Sequence, residues 1–466
     1  MGRKGRFLRF LAIVGLLVYL PTCAFFVFRI LVHKSPEDYL REATYIPVSS
    51  HVVGYQRKPT ANFTNMRNNS YLSKWITRTE SFCEGKIEIH AGRSVRFKDI
   101  VLVPERAIAK ATGGESLDDV INHKEADEFY KYDPGFYQMM CEKETSNPLV
   151  RFAAQGIHFK DWAFAFVYHN EHPVPNEEYV TNVPGLTIAL TRYEYANVYW
   201  IVMEIYDAFL STTFYGLSPN DANILIMDAH PSGLLDELWS KTFKKFLRLS
   251  DLSHSTSFSA LVWNFPRKYS PFLSQPRIEF PLLGEFRDFI LNSFNISLEN
   301  NAITERCEKK ELKVLFIWRR DYVAHPRNPS GLITRKISNE QEILQAAQAA
   351  FPMYDVRGVQ LDSLPMHEQL LLISQADIFI GMHGAAFGFV VLMKPGRAVV
   401  ELWPQQQVDR GNWHMEALAL ANRLHYRSWT NMNSKYENRR TKSTYIPKDV
   451  IESLLRGATA DVCKTS

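Results

Sequence analysis

Apolar and amphipathic stretches alternate along the carboxyl-terminal third of the chain. The pattern predicts strands at 312–318, 354–359, 377–380 and 398–402, with helices at 339–350 and 366–375 and a third helix beginning at Gly384. This order is typical of a doubly wound parallel sheet, in which ligands bind beyond the carboxyl ends of the strands. Similar alternation before residue 297 predicts a second α/β part, and the polar stretch 297–311 separates the two.

An uncharged segment near the amino terminus is long enough to cross a membrane. Residues 10–28, "FLAIVGLLVYLPTCAFFVF", carry no charge and would span a hydrocarbon slab of roughly 30 Å as a helix. A cleaved signal peptide is the competing interpretation, but the apolar run is longer than usual and no clean small-x-small cleavage site follows it. The cations before it favour a cytosolic tail at 1–9, a signal anchor at 10–32, a stem at 33–80 and an exported remainder.

The net charge of +4 depends on this leading segment. Six of the 54 basic residues precede residue 35, where there is no acidic residue, which leaves 48 basic against 50 acidic residues. A balance of about −2 is not the electrostatic pattern of a nucleic-acid-binding protein.

Cysteines and glycosylation triplets agree with export. Outside the anchor, four cysteines remain, which allows two disulfides in any of three pairings: Cys83, Cys141, Cys307 and Cys463. Three Asn-x-Ser/Thr triplets predict N-glycosylation at Asn62, Asn68 and Asn295.

The stretch "ADIFIGMHGAAFGF" places a histidine between an apolar strand and a run of small residues. Gly381 and His383 fall at the predicted strand end, and Gly384 and Ala385 open the next helix, whose N–H groups form a ready anion site. We expect a diphosphate there, with His383 donating to its oxygens or protonating the leaving group. The alternative is that the small residues allow tight helix packing around a structural histidine.

Three charged residues are expected at the same sheet edge. Arg319 and Arg320 follow the strand at 312–318, where a guanidinium can bind phosphate oxygens through two parallel bonds, although Arg-Arg-Asp is usually a surface ion-pair sequence. Glu401 is predicted to end the last strand and to accept hydrogen bonds from ribose hydroxyls, or else to cap a helix.

The segment "TRYEYANVYWIVMEIYDAFLS" (191–211) predicts a helix with one apolar face and a separate polar stripe. The stripe consists of Asn197, Trp200, Glu204 and Asp207. A carboxylate facing a partly dry cleft gains basicity, so Glu204 is the candidate general base. The alternative is a structural ion pair between Glu204 and Arg192 or another cation.

Taken in order, "TRYEYANVYWIVMEIYDAF", "RRDYVAHPRNPSGLITRKISNEQEI" and "ADIFIGMHGAAFGFVVLMKPGRAVVELWP" resemble glycosyltransferase family 61, most closely the N-glycan core β-1,2-xylosyltransferases. The resemblance implies a GT-B fold, α/β with two Rossmann-like domains facing a cleft, preceded by the single transmembrane helix. Residues 81–300 would form the acceptor side and residues 301–466 the nucleotide-sugar side. It also implies a single-pass type II Golgi membrane enzyme with a lumenal catalytic domain.

The resemblance further implies an inverting transfer of xylose from UDP-xylose to the core mannose of an N-glycan, without a cofactor or obligatory metal. In agreement, the chain contains no Asp-x-Asp triplet. Expected partners are a UDP-sugar, an N-glycan or glycoprotein acceptor and the membrane, but no nucleic acid. Glu204 would act as base, Arg319, Arg320 and His383 would bind the diphosphate, and Asn197, Trp200 and Asp207 would orient the acceptor.

Two departures keep other activities open. Where the xylosyltransferases carry a histidine and an aspartate, this chain has Trp200 and Glu204. The alternatives are a family 61 transferase that moves N-acetylglucosamine to a protein hydroxyl or O-mannose, and a lumenal sugar-nucleotide-binding protein that has lost catalysis.

Overall fold

The computed structural model describes residues 72–73, 78–121, 123–141, 148–170, 180–273, 280–298, 303–323, 325–405 and 413–464. The predicted signal anchor, most of the stem and two predicted glycosylation sites, Asn62 and Asn68, lie outside these residues. None of the helices in the described ranges combines the length and the hydropathy needed to cross a membrane.

The first part of the chain forms a nine-stranded sheet and a separate two-stranded pair. Its strands are β1 Thr79–Phe82, β2 Ile87–His90, β3 Ser94–Leu102, β4 Ala107–Ile108, β5 Lys131–Tyr132, β6 Tyr137–Met140, β7 Phe166–His169, β8 Thr181–Leu190, β9 Asn223–Ile226, β10 Lys245–Arg248 and β11 Thr256–Trp263. The main order is β1-β2-β3-β11-β8-β9-β10, with β6 joined to β3 and to β7, while β4 pairs with β5.

This sheet is mixed, whereas the sequence pattern predicted parallel strands. β8 to β11 are mutually parallel where they pair, but β1, β2 and β3 pair antiparallel. The reason is the short connections, because a parallel pair needs a crossover of a dozen or more residues and only residues 91–93 separate β2 from β3.

The second part forms a wholly parallel five-stranded sheet, as the sequence predicted. Its strands, with a small three-stranded sheet beside them, are β12 Lys313–Ile317, β13 Lys336–Ile337, β14 Asp355–Val359, β15 Ile378–Met382, β16 Ala398–Trp403, β17 His425–Thr430, β18 Glu437–Asn438 and β19 Ser443–Thr444. The order β14-β12-β15-β16-β17 places β14 on one side of β12 and β15 on the other. The topological switch point therefore lies between the carboxyl ends of β12 and β15, which is where doubly wound sheets bind ligands.

Helices cover the sheets. They are α1 Ile157–Phe164, α2 Val198–Phe214, α3 Asp236–Thr242, α4 Leu283–Ser293, α5 Ile303–Lys309, α6 Glu340–Ala350, α7 Met366–Gln375, α8 His414–Ala421 and α9 Lys448–Lys464. A 3-10 helix, Ala385–Leu392, follows β15 at the point where the sequence predicted a helix to begin.

Helix α2 is buried in a large hydrophobic cluster. One hydrophobic cluster contains its residues together with residues of both large sheets, such as Ile188 and Leu315. All its residues except Trp200 are buried, including Glu204 and Asp207 of the predicted polar stripe, and residues 191–197 form a turn before the helix. A Cβ on Gly388 would lie 2.6 Å from the Cα of Tyr199, so only glycine allows the 3-10 helix to pack this closely on α2.

Two disulfides resolve the pairing that the sequence left open. Cys83 is bonded to Cys141, and Cys307 on α5 is bonded to Cys463 on α9. Asn295, the one predicted glycosylation site within the described residues, is exposed. Both features are typical of proteins that fold in an oxidising compartment.

Candidate active site

Arg319 and the backbone of Gly384 meet at the switch point of the parallel sheet. Arg319 comes two residues after β12, and Gly384 comes two residues after β15, so the sheet brings them together. A Cβ on Gly384 would overlap Nη1 of Arg319, whose Nε donates to the carbonyl oxygen of Thr334 at 3.0 Å. No carboxylate of the described chain forms an ion pair with this guanidinium, and burial lowers its pKa. A partly buried cation without a counter-ion beside helix N–H groups is suited to bind an anion.

His383 is held beside this arginine by a carboxylate and an indole. Its Nδ1 lies 2.5 Å from Oε1 of Glu401, and its ring stacks on Trp403 with centroids 3.9 Å apart. Burial lowers the pKa of His383; Glu401 opposes this shift, and the positive charges of Arg335 and Arg319 reinforce it. The neutral ring therefore carries its proton on Nδ1, towards Glu401, and Nε2 is the nitrogen that can gain a proton.

Arg335 is a functional candidate that the sequence interpretation missed. It is buried, follows Thr334 directly and adopts a left-handed backbone conformation with a φ of 60°. Burial lowers its pKa to about 9, although Glu401 opposes the shift. Its charge acts on His383, so Arg335 is the second cation at this edge. Nothing in "ITRKIS" distinguishes it from a surface arginine, since the tertiary fold alone buries it.

Arg320 points away from Gly384, unlike its neighbour. Its Nε and Nη2 both donate to Oε2 of Glu340, at 3.0 and 2.7 Å, and its side chain is exposed. Consecutive residues of an extended chain point in opposite directions, which separates the predicted pair. Both arginines nevertheless line one open cavity of about 590 Å³, whose lining residues are Arg319, Arg320, Asp321, Lys336, Ile337, Ser338, Asn339, Glu340, Gln341 and Glu342.

Glu401 and Gly381 lie within the parallel sheet, on the neighbouring strands β16 and β15. β16 continues to Trp403, and β17 follows it, so the prediction that Glu401 ends the last strand is wrong. Its carboxylate accepts a hydrogen bond from the Tyr426 hydroxyl at 2.5 Å and contacts His383 with the other oxygen. Gly381 is paired with Glu401 across the sheet and packs against Ile317. Glu401 orients His383 in the structure, and a contact with ribose remains a prediction.

Glu204 is a buried carboxylate on α2 with one bonded oxygen. Oε1 accepts a hydrogen bond from the Tyr193 N–H at 2.7 Å, whereas Oε2 has no hydrogen-bond partner among the described residues. Burial raises the pKa of Glu204 to about 8; the negative charge of Asp228 adds to this shift, and Arg267 opposes it. The alternative pairing with Arg192 is wrong, because Arg192 binds Asp228 at 2.8 Å and Asp236 at 3.0 Å instead.

The other members of the predicted stripe have different surroundings. Asn197 caps α2, its side-chain oxygen accepting from the Tyr199 N–H at 3.1 Å. Asp207 is buried and accepts from the Ser270 hydroxyl at 2.8 Å, and burial raises its pKa well above the usual range. Trp200 is partly exposed, and its ring lies edge-on to that of Tyr193 with centroids 4.7 Å apart.

Arg267 completes the surroundings of Glu204 and was not singled out in the sequence. Its guanidinium lies 3.4 Å from the ring centroid of Tyr193 and 5.5 Å from that of Trp200. Two aromatic rings and a cation thus lie beside the candidate base. In such an arrangement an aromatic ring can pack on the face of a sugar, and the polar groups can bind the sugar hydroxyls.

The structure therefore contains two groups of candidate residues. Arg319, Arg335, His383 and the Gly384 backbone gather at the edge of the parallel sheet; we call this group the cradle. Glu204, Trp200, Asn197 and Asp207 lie along α2. The two groups are linked by the close packing of α2 against the 3-10 helix at Tyr199 and Gly388. Within the described residues, no cluster of three or more His, Cys, Asp or Glu side chains is placed to hold a metal ion.

Comparison with protein-family models gives a match over residues 238–400, to the family described as Glycosyltransferase 61. Residues 238–400 are thus similar in sequence to glycosyltransferase 61 domains. The matched residues include Arg267, Arg319, Arg335 and His383, and they exclude Glu204. The resemblance seen in the sequence motifs is thereby confirmed.

Individual relatives point to two kinds of transferase. A β-1,2-xylosyltransferase of Oryza sativa subsp. japonica is 28% identical over 63% of this chain and 60% of its own length. A β-1,2-xylosyltransferase of Arabidopsis thaliana is 24% identical over 81% of this chain and 77% of its own length. An EGF domain-specific O-linked N-acetylglucosamine transferase of Drosophila melanogaster is 26% identical over 46% of this chain and 39% of its own length. The chain thus spans less than two thirds of the rice relative.

Proposed function

We propose that the chain is an inverting, UDP-sugar-dependent glycosyltransferase that moves xylose from UDP-xylose to the core mannose of an N-linked glycan in β-1,2 linkage. The observation that carries this proposal is the cradle, in which Arg319 has no ion-pair partner in the described chain and lies against the first N–H groups of a helix. The similarity to family 61 domains and to two xylosyltransferases supports the substrate assignment.

The cradle would bind the donor through its diphosphate. Arg319 and Arg335 supply positive charge, and the N–H groups of Gly384 and Ala385 supply donors at the start of the 3-10 helix. An arriving diphosphate raises the pKa of His383, because its negative charge favours the imidazolium. The protonated Nε2 can then donate to the departing phosphate oxygen while Glu401 keeps the ring in place.

Glu204 would accept the proton of the attacking hydroxyl. The acceptor oxygen forms a bond to the anomeric carbon on the face opposite UDP, and the bond from that carbon to the β-phosphate oxygen breaks. The electron pair of that bond leaves with UDP, and the acceptor proton passes to the Glu204 carboxylate. A pKa of about 8 gives the ionised carboxylate the basicity that this step needs.

The residues around Glu204 would orient the acceptor sugar. Trp200 and Tyr193 offer aromatic rings next to the base. Asp207 offers a carboxyl group about one helical turn after Glu204, and Asn197 offers an amide about two turns before it. We place these elements in a GT-B arrangement, in which the first sheet supplies the acceptor side and the parallel sheet the donor side of a cleft.

A lumenal location within the Golgi, with the chain anchored as a type II membrane protein, belongs to the same proposal. Two disulfides and an exposed Asn-Ile-Ser triplet at Asn295 support exposure to the secretory lumen. The apolar segment 10–28 would supply the anchor.

A second candidate is the transfer of N-acetylglucosamine to a protein hydroxyl. The similarity to an EGF domain-specific transferase favours it, as does Trp200, which stands where the xylosyltransferases have a titrating ring. Both candidates use the same cradle and the same base, and they differ in the donor sugar and the acceptor.

The test is a product analysis with a panel of substrates. The purified full-length chain is incubated with UDP-xylose or UDP-N-acetylglucosamine, each with an N-glycan core oligosaccharide or a folded EGF-like domain. A pentose added in β-1,2 linkage to mannose supports the main proposal, and an N-acetylhexosamine on the EGF-like domain supports the second. Tight UDP binding without any product would instead indicate a sugar-nucleotide-binding protein.

A further inference from the structure

The loop that joins β12 to β13 carries both cradle arginines and contacts the first part of the chain. Arg319 lies at its start and Arg335 at its end. Between them, Arg327 contacts two carboxylates of the first part of the chain. Its Nη2 lies 2.7 Å from Oε2 of Glu194, and its Nη1 lies 2.5 Å from Oε2 of Glu125.

His325 reinforces this contact from the same loop. The N–H and Nε of Arg327 lie 3.1 and 3.0 Å from Nδ1 of His325, and Nη2 of Arg327 lies 2.5 Å from Nε2 of the same ring. Nε2 lies 3.3 Å from Oε1 of Glu194, and the ring packs against that of Tyr195 with centroids 5.1 Å apart. Both oxygens of Glu194 therefore face the β12–β13 loop.

Glu194 binds this loop through a buried carboxylate. Glu194 is buried in the turn that precedes α2, and burial alone would raise the pKa of its carboxyl group. The approach of His325 and Arg327 outweighs this effect and holds the pKa of Glu194 below its usual range. The carboxylate is thus ionised at neutral pH, and removing Arg327 would leave a buried charge with less compensation. The buried charge of Glu194 therefore stabilises the conformation in which the loop keeps Arg327 in contact with it.

Hydrogen bonds hold the two ends of the loop in register: Oδ1 of Asp321 accepts from the Ile333 N–H at 2.8 Å and from Nζ of Lys336 at 2.6 Å. Arg319 is bonded through Nε to Thr334, so the arginine at the start of the loop depends on the backbone at its end. Any shift of the loop therefore moves Arg319 and Arg335 together, away from Gly384 and His383.

We propose that Arg327 is a positioning residue, whose ion pairs with Glu194 and Glu125 dock the β12–β13 loop on the first part of the chain and thereby fix Arg319 and Arg335 for diphosphate binding. This inference rests on the proposed function, because it assumes that the cradle binds the donor. Arg327 itself does not touch the donor, so its effect is on the affinity for UDP and not on the chemical step.

The experiment compares Arg327→Gln with the wild type in the purified full-length chain. We expect the Kd for UDP and the KM for the UDP-sugar to rise about tenfold, as for a typical coupling between sites, while kcat changes less than about threefold. Arg327→Lys keeps one cation but cannot contact both carboxylates, so it should recover part of the affinity. Arg357→Gln, which removes an exposed ion pair with Asp355 on β14, is the matched control and should bind UDP as the wild type does.

Hydrogen exchange provides a second readout that needs no nucleotide. In Arg327→Gln, backbone exchange should accelerate in the β12–β13 loop and in residues 191–197, but not in α9. If Arg327→Gln does not fold, Glu125→Gln removes one of the two ion pairs and should show smaller shifts in the same direction.

Two results would overturn the inference: unchanged exchange in the loop, or unchanged UDP affinity in a variant whose loop exchange has risen. A wild-type chain that binds no UDP would instead remove the proposed function itself, together with the role assigned to the loop. The wild-type titration therefore separates the two failures.

Discussion

Gly384 has no room for a side chain, because Nη1 of Arg319 occupies the position that its Cβ would take. Gly384→Ala should therefore displace the guanidinium from the start of the 3-10 helix. We expect the Kd for UDP to rise by about tenfold or more, as when one of several charge-assisted bonds is lost. Calorimetric titration with UDP measures this directly.

Gly284→Ala is the control for this substitution. Gly284 lies in α4, and the nearest atom to an added Cβ is 4.0 Å away, so alanine fits and favours the helix. Equal UDP affinities for the two alanine variants would show that Arg319 does not need its place beside Gly384.

The two arginines at the ends of the β12–β13 loop, Arg319 and Arg335, should contribute more to kcat/KM than Arg320. Arg335 is buried next to the His383 and Glu401 pair, whereas Arg320 forms an exposed ion pair with Glu340. Arg335→Gln should reduce kcat/KM by about 100-fold, on the scale of losing one preorganised donor, and Arg320→Gln by less than about threefold. Steady-state kinetics with the preferred UDP-sugar checks the ranking, and a larger loss for Arg320→Gln would reverse our assignment.

The pH dependence of turnover should report Glu204. Because burial raises its pKa to about 8, only the small ionised fraction can act as a base at lower pH. We expect log kcat/KM to rise by about one per pH unit below pH 8 and to level off above it. Glu204→Gln should lose this limb and at least about 100-fold in kcat.

Asp207→Asn tests whether that limb belongs to Glu204. The raised pKa of Asp207 keeps it neutral, so a neutral amide should leave the midpoint in place. A midpoint that moved with Asp207→Asn and persisted in Glu204→Gln would assign the titration to Asp207.

The stability of the folded protein should also depend on the Glu204 carboxyl group. The ionisation that activity requires should lower the free energy of unfolding. The folded-state pKa of Glu204 lies above the unfolded value of 4.5, so the folded state holds the extra proton and loses stability as pH rises towards 8. Glu204→Gln removes this dependence. The difference in free energy of unfolding, variant minus wild type, should increase by about 2–3 kcal/mol between pH 6 and pH 9. Urea unfolding at the two pH values measures it, and a constant difference would place Glu204 in a less buried setting.

Much of the parallel sheet could be predicted from the sequence. Its inner strands β12, β15 and β16 are buried on both faces and read as apolar runs, and the strands at β12, β14, β15 and β16 lie within a few residues of their predicted bounds. The position of His383 and Gly384 beyond β15 follows from that topology. β17 was missed because "HYRSWT" is polar, as suits an edge strand with no buried residue.

The side-chain partners could not be predicted in the same way. Arg319 and Arg320 are adjacent and chemically identical, and only the direction of the chain after β12 sends one inward and the other to Glu340. Arg335 and Arg327 gain their surroundings from residues far away in sequence. For α2, the apolar wheel was correct, but a helix enclosed by two sheets also buries its polar residues, which a wheel cannot show.

The most direct test of the central claim is a titration of UDP into the purified full-length chain and its Arg319→Ala variant, without divalent metal. We expect the wild type to bind UDP and Arg319→Ala to weaken binding by about 50-fold or more, equivalent to about 2.3 kcal/mol. Equal binding by the two proteins would contradict this claim.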